Sequence, residues 1–441
     1  KNRSSPGTAE PLNAIENAEA EPVHEAGQPF TIRATAISTT GDITPGYHYL
    51  GAPEATYVGL IIPPDGINGN FRIEDWLPTE SGVAQTNSAF YDEVGVFSVE
   101  VEDSDFASVD SGDGTPDDRR RIGPSTLDIG RFIPVRFQVT NNFPGFGDGC
   151  TDSTYLGQPF PVNSTTPTIT IEPINADNNT TQNYGDNFWK LSDDLINRYY
   201  TNSATISATL QIAHFGHTEN ASLNDFNGYG NFTIQNERLA YNKTNATIEP
   251  FEANATLTIP ASDLNDTDSV CYDPDTDNNC NSYEIAPING TEIRYGRAAV
   301  DNAYGSELLP LKNIEFRAEY YDEDSEFTTN TNDFCTPYNA SEIVWSNATY
   351  GGKGNLDDTN LDSSGNGYLD QGKGSFTIHN ATNEAEGPGK TGYVDYRFPV
   401  PSWLKFDWND NGTRSDPPAR ATFGIYKGNE HIIYQQETTW K

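Results

Sequence analysis

The chain has 441 residues, of which 64 are acidic and 26 are basic, so its formal net charge is −38. Such a charge repels a phosphate polymer, and we therefore expect no nucleic-acid partner. No stretch approaches the roughly 20 consecutive apolar residues of a membrane-spanning helix, so we expect no membrane span. The length predicts two to four domains.

Residues 1–22 are polar and acidic and contain Pro6 and Pro11. This composition predicts a flexible N-terminal segment, because it offers too few apolar side chains to build a packed core. The chain begins at Lys1 without Met and shows no signal peptide, so we expect a mature or trimmed fragment.

Residues 23–133 predict a first β-sandwich domain. Residues 30–36 and 97–102 alternate between apolar and polar side chains, which is typical of strands with one buried face. Residues 57–62 form a fuller apolar run that fits a central strand. Turns such as Pro63-Pro64-Asp65-Gly66 separate the strands at the spacing of a sandwich.

A repeated tetrapeptide indicates that this domain is duplicated. Gly27-Gln28-Pro29-Phe30 recurs as Gly157-Gln158-Pro159-Phe160, 130 residues later. Each copy is followed by alternating residues and a turn, which ends at Tyr47 in the first copy and at Tyr184 in the second. A repeat of this size is a whole domain. Residues 129–140 form the seam between the two copies, with Pro134 just ahead of an alternating strand.

The rest of the chain repeats this texture, and we predict a second β-sandwich over residues 134–260 and a third over residues 261–441. Residues 188–200 give the one credible helix, because Leu191, Ile196 and Tyr199 fall on one side. Residues 419–434 predict a C-terminal hairpin. The expected fold class is all-β, with tandem Ig-like β-sandwich domains and long acidic loops.

The four cysteines are an even number, which favours disulfides over metal or redox chemistry in a chain that looks extracellular. Cys271 and Cys280 close a short loop rich in Asp and Asn and form the preferred pair, which leaves Cys150 with Cys335. The sequence alone permits three pairings.

Asn-x-Ser/Thr triplets are frequent, and each can accept a glycan only in a cell with the right transferase. The candidate glycosylation sites are Asn163, Asn220, Asn231, Asn242, Asn245, Asn254, Asn289, Asn339, Asn347 and Asn380.

Three acidic loops are candidate Ca²⁺ sites, because alternating oxygen donors in a tight turn can converge on a hard cation. The first offers Asp407, Asn409 and Asn411 before Gly412, with Pro418 where an EF-hand has its bidentate Glu and with Asp416 as a substitute ligand. A second loop offers Asp362, Ser364, Asn366 and Asp370. A third, with Asp273, Asp275 and Asp277 before Asn278, lies inside the loop between Cys271 and Cys280. Plain turns use the same residue types, and the acidic charge is equally consistent with solubility or salt tolerance.

Catalysis finds little support in the sequence. Nucleophile-elbow, zinc-protease and P-loop motifs are all absent. His214 and His217 have no third ligand nearby and are interpreted as surface or strand residues. A glycosidase carboxylate pair cannot be located among so many acids. We expect that the chain is not an enzyme.

Several segments, in matching order, resemble the MshQ-like or DUF6701 family, which is associated with the mannose-sensitive haemagglutinin type IV pilus. These segments are Glu93-Val94-Gly95-Val96, Ile129-Gly130-Arg131-Phe132-Ile133-Pro134, Tyr155-Leu156-Gly157-Gln158-Pro159-Phe160, Thr181-Gln182-Asn183-Tyr184, Asn302-Ala303-Tyr304-Gly305-Ser306-Glu307, Asp333-Phe334-Cys335-Thr336, Trp403-Leu404-Lys405-Phe406-Asp407-Trp408 and residues 419–429.

The resemblance implies an extracellular or cell-surface protein that is linked to pilus biogenesis or adhesion, and it carries over no catalytic residue. The expected function is that of a non-catalytic adhesin or structural stalk, whose partners are pilus subunits and a cell-surface or polysaccharide ligand. One alternative is a filament subunit that polymerises with copies of itself by strand addition, through residues 419–434 or the N-terminal segment. A less favoured alternative is a secreted carbohydrate-active enzyme. Relatives look richer in Asp and Gly around Asp407, which weakens the calcium prediction here.

Overall fold

A computed structural model of the chain shows an almost wholly β protein. The structure describes residues 21–49, 51–163, 166–191, 197–204, 210–215, 218–222, 228–350, 356, 361–380 and 390–424. The predicted all-β class with Ig-like sandwiches is confirmed. Short 3₁₀ helices lie at Ser108–Asp113, Asp117–Arg119, Asp186–Phe188, Ala261–Leu264, Ala340–Glu342 and Ser402–Leu404.

The first module comprises residues 23–133 and is a two-sheet sandwich. Its strands are β1 (His24–Glu25), β2 (Phe30–Thr35), β3 (Glu54–Ile62), β4 (Phe71–Ile73), β5 (Leu77–Glu80), β6 (Val83–Tyr91), β7 (Gly95–Asp103) and β8 (Ile122–Ile133). One sheet has the order β1-β8-β7-β3, and the other has the order β2-β6-β4 with β5 paired to β6. Aromatic rings fill the space between the sheets; Phe97 stacks on Tyr91 with 3.9 Å between the ring centroids.

The second module begins at residue 134 and contains three sheets. Its strands are β9 (Arg136–Asn141), β10 (Thr154–Tyr155), β11 (Phe160–Pro161), β12 (Thr168–Ile174), β13 (Tyr199–Asn202), β14 (Ile212–Phe215), β15 (Thr218–Ser222), β16 (Gly230–Gln235), β17 (Arg238–Tyr241), β18 (Phe251–Ile259) and β19 (Tyr283–Arg294). The sheet orders are β10-β19-β18-β13, β11-β17-β14 and β15-β16-β12-β9.

The third module begins at Gly296. Its strands are β20 (Gly296–Val300), β21 (Ala303–Gly305), β22 (Leu311–Asp322), β23 (Glu326–Thr329), β24 (Pro337–Asn339), β25 (Val344–Tyr350), β26 (Leu361–Ser364), β27 (Asn366–Tyr368), β28 (Lys373–Asn380), β29 (Gly392–Arg397) and β30 (Pro418–Phe423). One sheet has the order β20-β22-β28-β26 with β23 paired to β22, a second has the order β21-β30-β29-β25, and β24 pairs with β27.

The boundary between the second and third modules differs from the prediction. Strand β19 is antiparallel to β18, and Tyr283 faces Ile259 while Ile293 faces Phe251. A boundary between residues 260 and 261 would separate these paired strands. The second module therefore extends through Arg294. The prediction missed this boundary because local alternation does not indicate that two strands pair across a 23-residue connection.

All three modules have a short parallel strand pair near their start. A short strand pairs parallel with the last strand that the structure describes in the same module: β1 with β8, β10 with β19, and β21 with β30. In the first two modules the repeated Gly-Gln-Pro-Phe follows this strand directly. Gly27 and Gly157 have φ values of +82° and +95°, a conformation that favours glycine. The structure therefore shows the two copies of the tetrapeptide in matching surroundings.

The two predicted turn tyrosines also occupy matching positions. The Tyr47 hydroxyl donates to Asp103 at the end of β7, and the Tyr184 hydroxyl donates to Asp266, which follows β18. Each acceptor lies at or beyond the end of the next-to-last strand of its module. This second shared feature supports a duplicated domain.

The predicted helix over residues 188–200 is wrong at both ends. The 3₁₀ turn Asp186–Phe188 precedes it, Tyr199 and Tyr200 belong to strand β13, and residues 192–196 lie outside the described part. Tyr200 is buried against the sheet, so tertiary packing overrides the local helical pattern. Within the described residues, no helix is long and apolar enough to cross a membrane.

Candidate functional site: the two junctions between modules

The first junction joins the first and second modules around the carboxylate of Glu93. This side chain is 4% exposed and lies in the turn between β6 and β7. It accepts backbone hydrogen bonds from Val94 at 2.8 Å, from Gln182 at 2.8 Å and from Asn183 at 3.0 Å. Two of these three donors belong to the second module. The turn at residues 181–184 thus serves as a backbone cradle for an acid of the neighbouring module.

The side chain of Asn183 completes this contact from the other side. Its Nδ2 donates to the carbonyl of Ile67 at 2.8 Å and to that of Val94 at 3.2 Å, and its Oδ1 accepts from the Ile67 amide at 2.7 Å. Asn183 is fully buried and all of these partners lie in the first module. Because a buried amide is stable only when it is fully bonded, the two modules hold each other in one register.

Burial raises the pKa of Glu93 to about 7, and the backbone N–H groups of Val94, Gln182 and Asn183 oppose this increase. The first junction therefore contains a carboxyl group that changes its charge near neutral pH.

A buried ion pair lies at the same junction. Arg131 on β8 donates from its two terminal nitrogens to the two carboxylate oxygens of Asp268, at 2.8 and 2.6 Å. The two side chains are 2% and 9% exposed. Asp268 belongs to the loop between β18 and β19, so this two-point bond again connects the first module to the second.

The backbone at this junction is also continuous. The Ala176 amide donates to the Ala26 carbonyl at 3.0 Å. A side chain at Gly27 would meet Ala176 at 3.0 Å, so the close approach requires glycine. Val94 and Ile133 of the first module belong to the main apolar core of the second.

The second junction is covalent. Cys150 of the second module forms a disulfide with Cys335 of the third, across a sequence separation of 185 residues. The preferred sequence pairing is therefore present, and the other predicted disulfide, between Cys271 and Cys280, closes a loop within the second module.

Asp333, which is fully buried, organises the polar contacts beside this disulfide. Its carboxylate accepts from the Tyr155 hydroxyl at 2.8 Å, from the Thr336 hydroxyl at 2.7 Å and from the Cys335 and Thr336 amides. Asn330 donates from Nδ2 to the Tyr155 oxygen at 2.8 Å. Burial and the nearby Asp333 charge raise the pKa of the Tyr155 hydroxyl, which keeps it protonated as a donor.

Lys243 forms a third contact at the second junction. Its ammonium group donates to the carbonyls of Gly296, Trp403 and Lys405 at 2.5, 2.6 and 2.9 Å, and lies 4.7 Å from the centre of the Tyr295 ring. All three acceptors are backbone groups of the third module. A side chain of the second module therefore holds the turn at residues 403–405 in place.

Aromatic side chains of the third module pack against the core of the second. They are Tyr321, Phe327 and Phe406. The Arg297 guanidinium lies 3.5 Å from the centre of the Phe327 ring and donates to Glu319 at 2.8 Å. The second junction thus combines a covalent bond, a buried polar network and apolar packing.

The structure places the predicted calcium ligands in two different settings. Asp407 lies in a turn and accepts from the amides of Asn411 and Gly412 at 3.1 and 2.6 Å. Asn409 and Asn411 are exposed in this turn. Asp416 instead accepts from the Val400 amide at 3.1 Å and pairs with Lys405 at 3.3 Å.

The second predicted calcium loop is not a loop. Asp362 and Ser364 lie on strand β26 and Asn366 lies on strand β27, which pair with different neighbours. Asp370 pairs through its backbone with Lys373. Alternate positions on a strand share one face and do not converge as the donors of a tight turn do, so the predicted turn geometry is wrong there.

The side chains of Cys150, Asp333 and Cys335 bring three potential metal-ligand atoms close together. Both sulfurs belong to the disulfide, however, and are not available as thiolates for a metal ion. His214 lies on strand β14 with its Nε2 3.0 Å from a Glu237 carboxylate oxygen, whereas His217 lies outside the described residues.

The predicted glycosylation sites differ in exposure. Asn163, Asn242, Asn245 and Asn289 are exposed, Asn231, Asn254 and Asn339 are half-buried, and the side chains of Asn220, Asn347 and Asn380 lie outside the described residues. Attachment of glycans to any of them stays a prediction.

No local sequence pattern indicates a role for the junction residues themselves. Glu93, Arg131, Asn183 and Asp333 are single polar residues inside largely apolar or turn-like segments. Their partners lie far away in the sequence: 137 residues separate Arg131 from Asp268, and 178 separate Asp333 from Tyr155. The available signal was that each occurs in a segment that resembles one family.

Two family models match the chain. The model of DUF6701, third domain, matches residues 93–287, and that of DUF6701, fourth domain, matches residues 294–438. The chain belongs to the DUF6701 family. The limit between the two matches agrees with the module boundary that the sheets show at residues 294–296.

No curated protein is significantly similar to the chain. Among solved structures, the Yersinia pseudotuberculosis adhesin InvE is 10% identical, over 66% of this chain and 59% of that chain, with a TM-score of 0.20. Zebrafish RET cadherin-like domains 1 to 4 are 7% identical, over 84% and 66%, with a TM-score of 0.28. A variant of BcpA, the major pilin subunit of Bacillus cereus, is 9% identical, over 91% and 96%, with a TM-score of 0.13. The chain spans less than two thirds of the first two, and likenesses of this order carry no information on function.

Several of the segments that carry the family resemblance lie at the junctions, whereas residues 302–307 and the described part of 419–429 overlap strands β21 and β30 inside the third module. Glu93, Arg131 and Asn183 form the first junction, and Tyr155 and Asp333 form the second. Within this DUF6701 protein, many of the residues that carry the resemblance therefore contribute to the contacts between modules.

Proposed function

We propose that the chain is an extracellular, pilus-associated stalk or adhesin that acts by holding its modules in a fixed arrangement and has no catalytic role. The observation that carries this proposal is that both junctions are locked by buried groups: an ion pair and a cradled acid at the first, and a disulfide beside a buried acid at the second. Ordinary domain linkers are exposed and permit relative motion.

Two further features support an extracellular setting. All four cysteines form disulfides, which persist in oxidising compartments. The resemblance to MshQ-like proteins implies a pilus-associated surface protein, and the two DUF6701 domain matches are consistent with that resemblance. Partners on this proposal are pilus subunits and a cell-surface or polysaccharide ligand.

Distance measurements between modules test the stalk proposal. Spin labels at the exposed residues Thr31 of the first module and Lys312 of the third should give one narrow distance distribution in pulsed electron paramagnetic resonance. Asp268→Asn should broaden this distribution, because it leaves Arg131 without its buried partner. A broad distribution in the unmodified protein would overturn the proposal.

A second candidate is a self-polymerising filament subunit, and one feature of the first module favours it. Strand β1 covers only the end of β8 that lies nearest the junction, at Phe132 and Ile133. Strand β2 lies at the edge of its sheet and pairs only with β6. Among the described residues, the rest of these two strand edges is unpaired. A cleft of about 260 Å³ lies between them, with walls that include Ile32, Ala84 and Leu127. Such a cleft fits an added strand.

The predicted C-terminal hairpin is less suited to strand addition. Strand β30 already has β21 on one edge and β29 on the other, and the return strand at residues 431–434 lies outside the described part. Electron micrographs of the purified protein separate the two candidates: dispersed particles support the stalk, and regular fibres support the filament.

A further inference from the structure

A polar cleft opens where the second and third modules meet. Its volume is about 470 Å³. The residues that line it are Asn245, Ser402, Lys405, Gly412, Thr413 and Arg414. Asn245 is the one contribution from the second module, and its Nδ2 donates to the Gly412 carbonyl at 2.8 Å. The locked second junction therefore fixes the walls of the cleft relative to each other.

Arg414 is unusual among the arginines of this protein. It is half-buried, and within the described part of the chain its guanidinium has no hydrogen-bond or ion-pair partner. Every other buried or half-buried arginine that the structure describes contacts an acid, an amide oxygen or a carbonyl. Arg131, Arg198 and Arg297 contact acids, and Arg136 contacts the amide oxygen of Asn178. In a chain with 64 acids, a half-buried arginine without an anion needs an explanation.

Two cations, Lys405 and Arg414, line the cleft, and Lys243 lies at the same junction. Lys405 is balanced by Asp416, at 3.3 Å, and Asp407 is engaged by the amides of Asn411 and Gly412. Lys243 contacts three carbonyls and no carboxylate among the described residues. Burial and, to a smaller extent, the Arg414 charge lower the pKa of Lys243 to about 7. Within the described residues, neither Arg414 nor Lys243 thus forms an ion pair with an acid.

We infer that this cleft binds the carboxylate of an acidic sugar unit, such as a uronic acid within an extracellular polysaccharide. The planar guanidinium of Arg414 matches a carboxylate through two parallel N–H bonds. The hydroxyls of Ser402 and Thr413 and the exposed amide of Asn245 suit the hydroxyl groups of the same sugar. The lining offers no apolar socket for an anchoring peptide side chain, which favours a sugar over a protein partner.

This inference rests on the proposed adhesive function and names its ligand class. It does not depend on the filament alternative, because the cleft lies at the second junction and the unpaired edges lie in the first module.

Titration calorimetry with a short oligouronate tests the inference, with a neutral oligosaccharide of the same linkage and length as the comparison. We expect binding of the oligouronate alone, weakening as salt rises. Arg414→Gln should weaken this binding at least tenfold. Arg238→Gln is the matched control, because this substitution removes the same charge at a residue that is exposed on β17 and does not line the cleft. It should leave the affinity unchanged.

Three results would overturn the inference. These are equal binding of the neutral sugar, equal losses in the two arginine variants, or no oligouronate binding. An acidic peptide that binds through Arg414 in place of the sugar would assign the cleft to a protein partner. The inter-module distance measurement is independent of these outcomes, so failure of the ligand and failure of the stalk are distinguishable.

Discussion

The two junctions achieve the same result with different chemistry. The first is held by the Arg131–Asp268 ion pair and by the hydrogen bonds to the buried carboxyl group of Glu93. The second is held by the Cys150–Cys335 bond and by Asp333, whose partners are hydroxyl and amide groups. The first junction should therefore respond to pH and to loss of a single charge, and the second to reduction.

This difference shows that a modular protein need not repeat its connections when it repeats its domains. The first two modules share the Gly-Gln-Pro-Phe start, the parallel first strand and the Tyr–Asp bond. The contacts at the first junction, however, differ from those at the second.

The largest effect should come from removing the disulfide at the second junction. Cys150→Ser with Cys335→Ser opens a loop of 185 residues, for which chain entropy gives a loss of about 5 kcal/mol in the free energy of unfolding. Cys271→Ser with Cys280→Ser is the control, because its separation of 9 residues gives only about 2–3 kcal/mol. Urea denaturation followed by circular dichroism measures both. Equal losses would contradict a specific role for the junction disulfide.

The buried ion pair at the first junction should come next. Asp268→Asn leaves the buried Arg131 charge without its acid and should cost about 3–5 kcal/mol. Asp395→Asn is the surface control, because the Arg420 partner is 48% exposed; its expected cost is below about 1 kcal/mol. Denaturation of both variants under identical salt gives the comparison. A cost for Asp268→Asn as small as the control's would show that the first junction is not held by this pair.

The pH dependence of the first junction should be smaller. Because the pKa of Glu93 is raised to about 7, the folded state binds this proton more tightly than the unfolded chain does. The stabilisation is present below pH 4.5 and is lost as the pH rises through 7, an effect of about 3 kcal/mol.

Glu93→Gln removes this titration. Between pH 5 and pH 8 the unmodified protein should therefore lose more stability than the variant, which thermal denaturation at several pH values measures. Parallel pH profiles of the two proteins would contradict a titrating acid at the junction.

Calcium should have the smallest effect, and its binding is a proposal. If the Asp407 turn binds Ca²⁺, EDTA lowers the melting temperature, since bound ligand stabilises the folded state. Asp407→Ala should abolish the difference, whereas Asp362→Ala, on strand β26, should preserve it. An unchanged melting temperature in EDTA would contradict calcium binding at this turn.

The sequence predicted those parts of the fold that local patterns encode. Residues 135–140 alternate and overlap β9 (Arg136–Asn141), and the tetrapeptides at 27–30 and 157–160 lead into β2 and β11. The short Cys271–Cys280 loop was predicted because few residues separate its ends. Each of these features is complete within a dozen residues.

The features that were missed depend on distant partners. Strand β19 pairs with β18 beyond the long loop at residues 260–282, which moved the predicted boundary. Glu93 meets Asn183 across 90 residues. Tyr200 looked helical and is a strand residue because the core of the second module buries it. Local alternation carries no information on such contacts.

The disulfide of the second junction also determines how the chain responds to mechanical load. Residues 151–334 form a closed loop between Cys150 and Cys335. A pull transmitted from the first module to the far end of the third passes through the S–S bond and bypasses this loop. Strands β10 to β19 of the second module are therefore shielded from tension while the bond is intact, and a reducing agent would make them extensible.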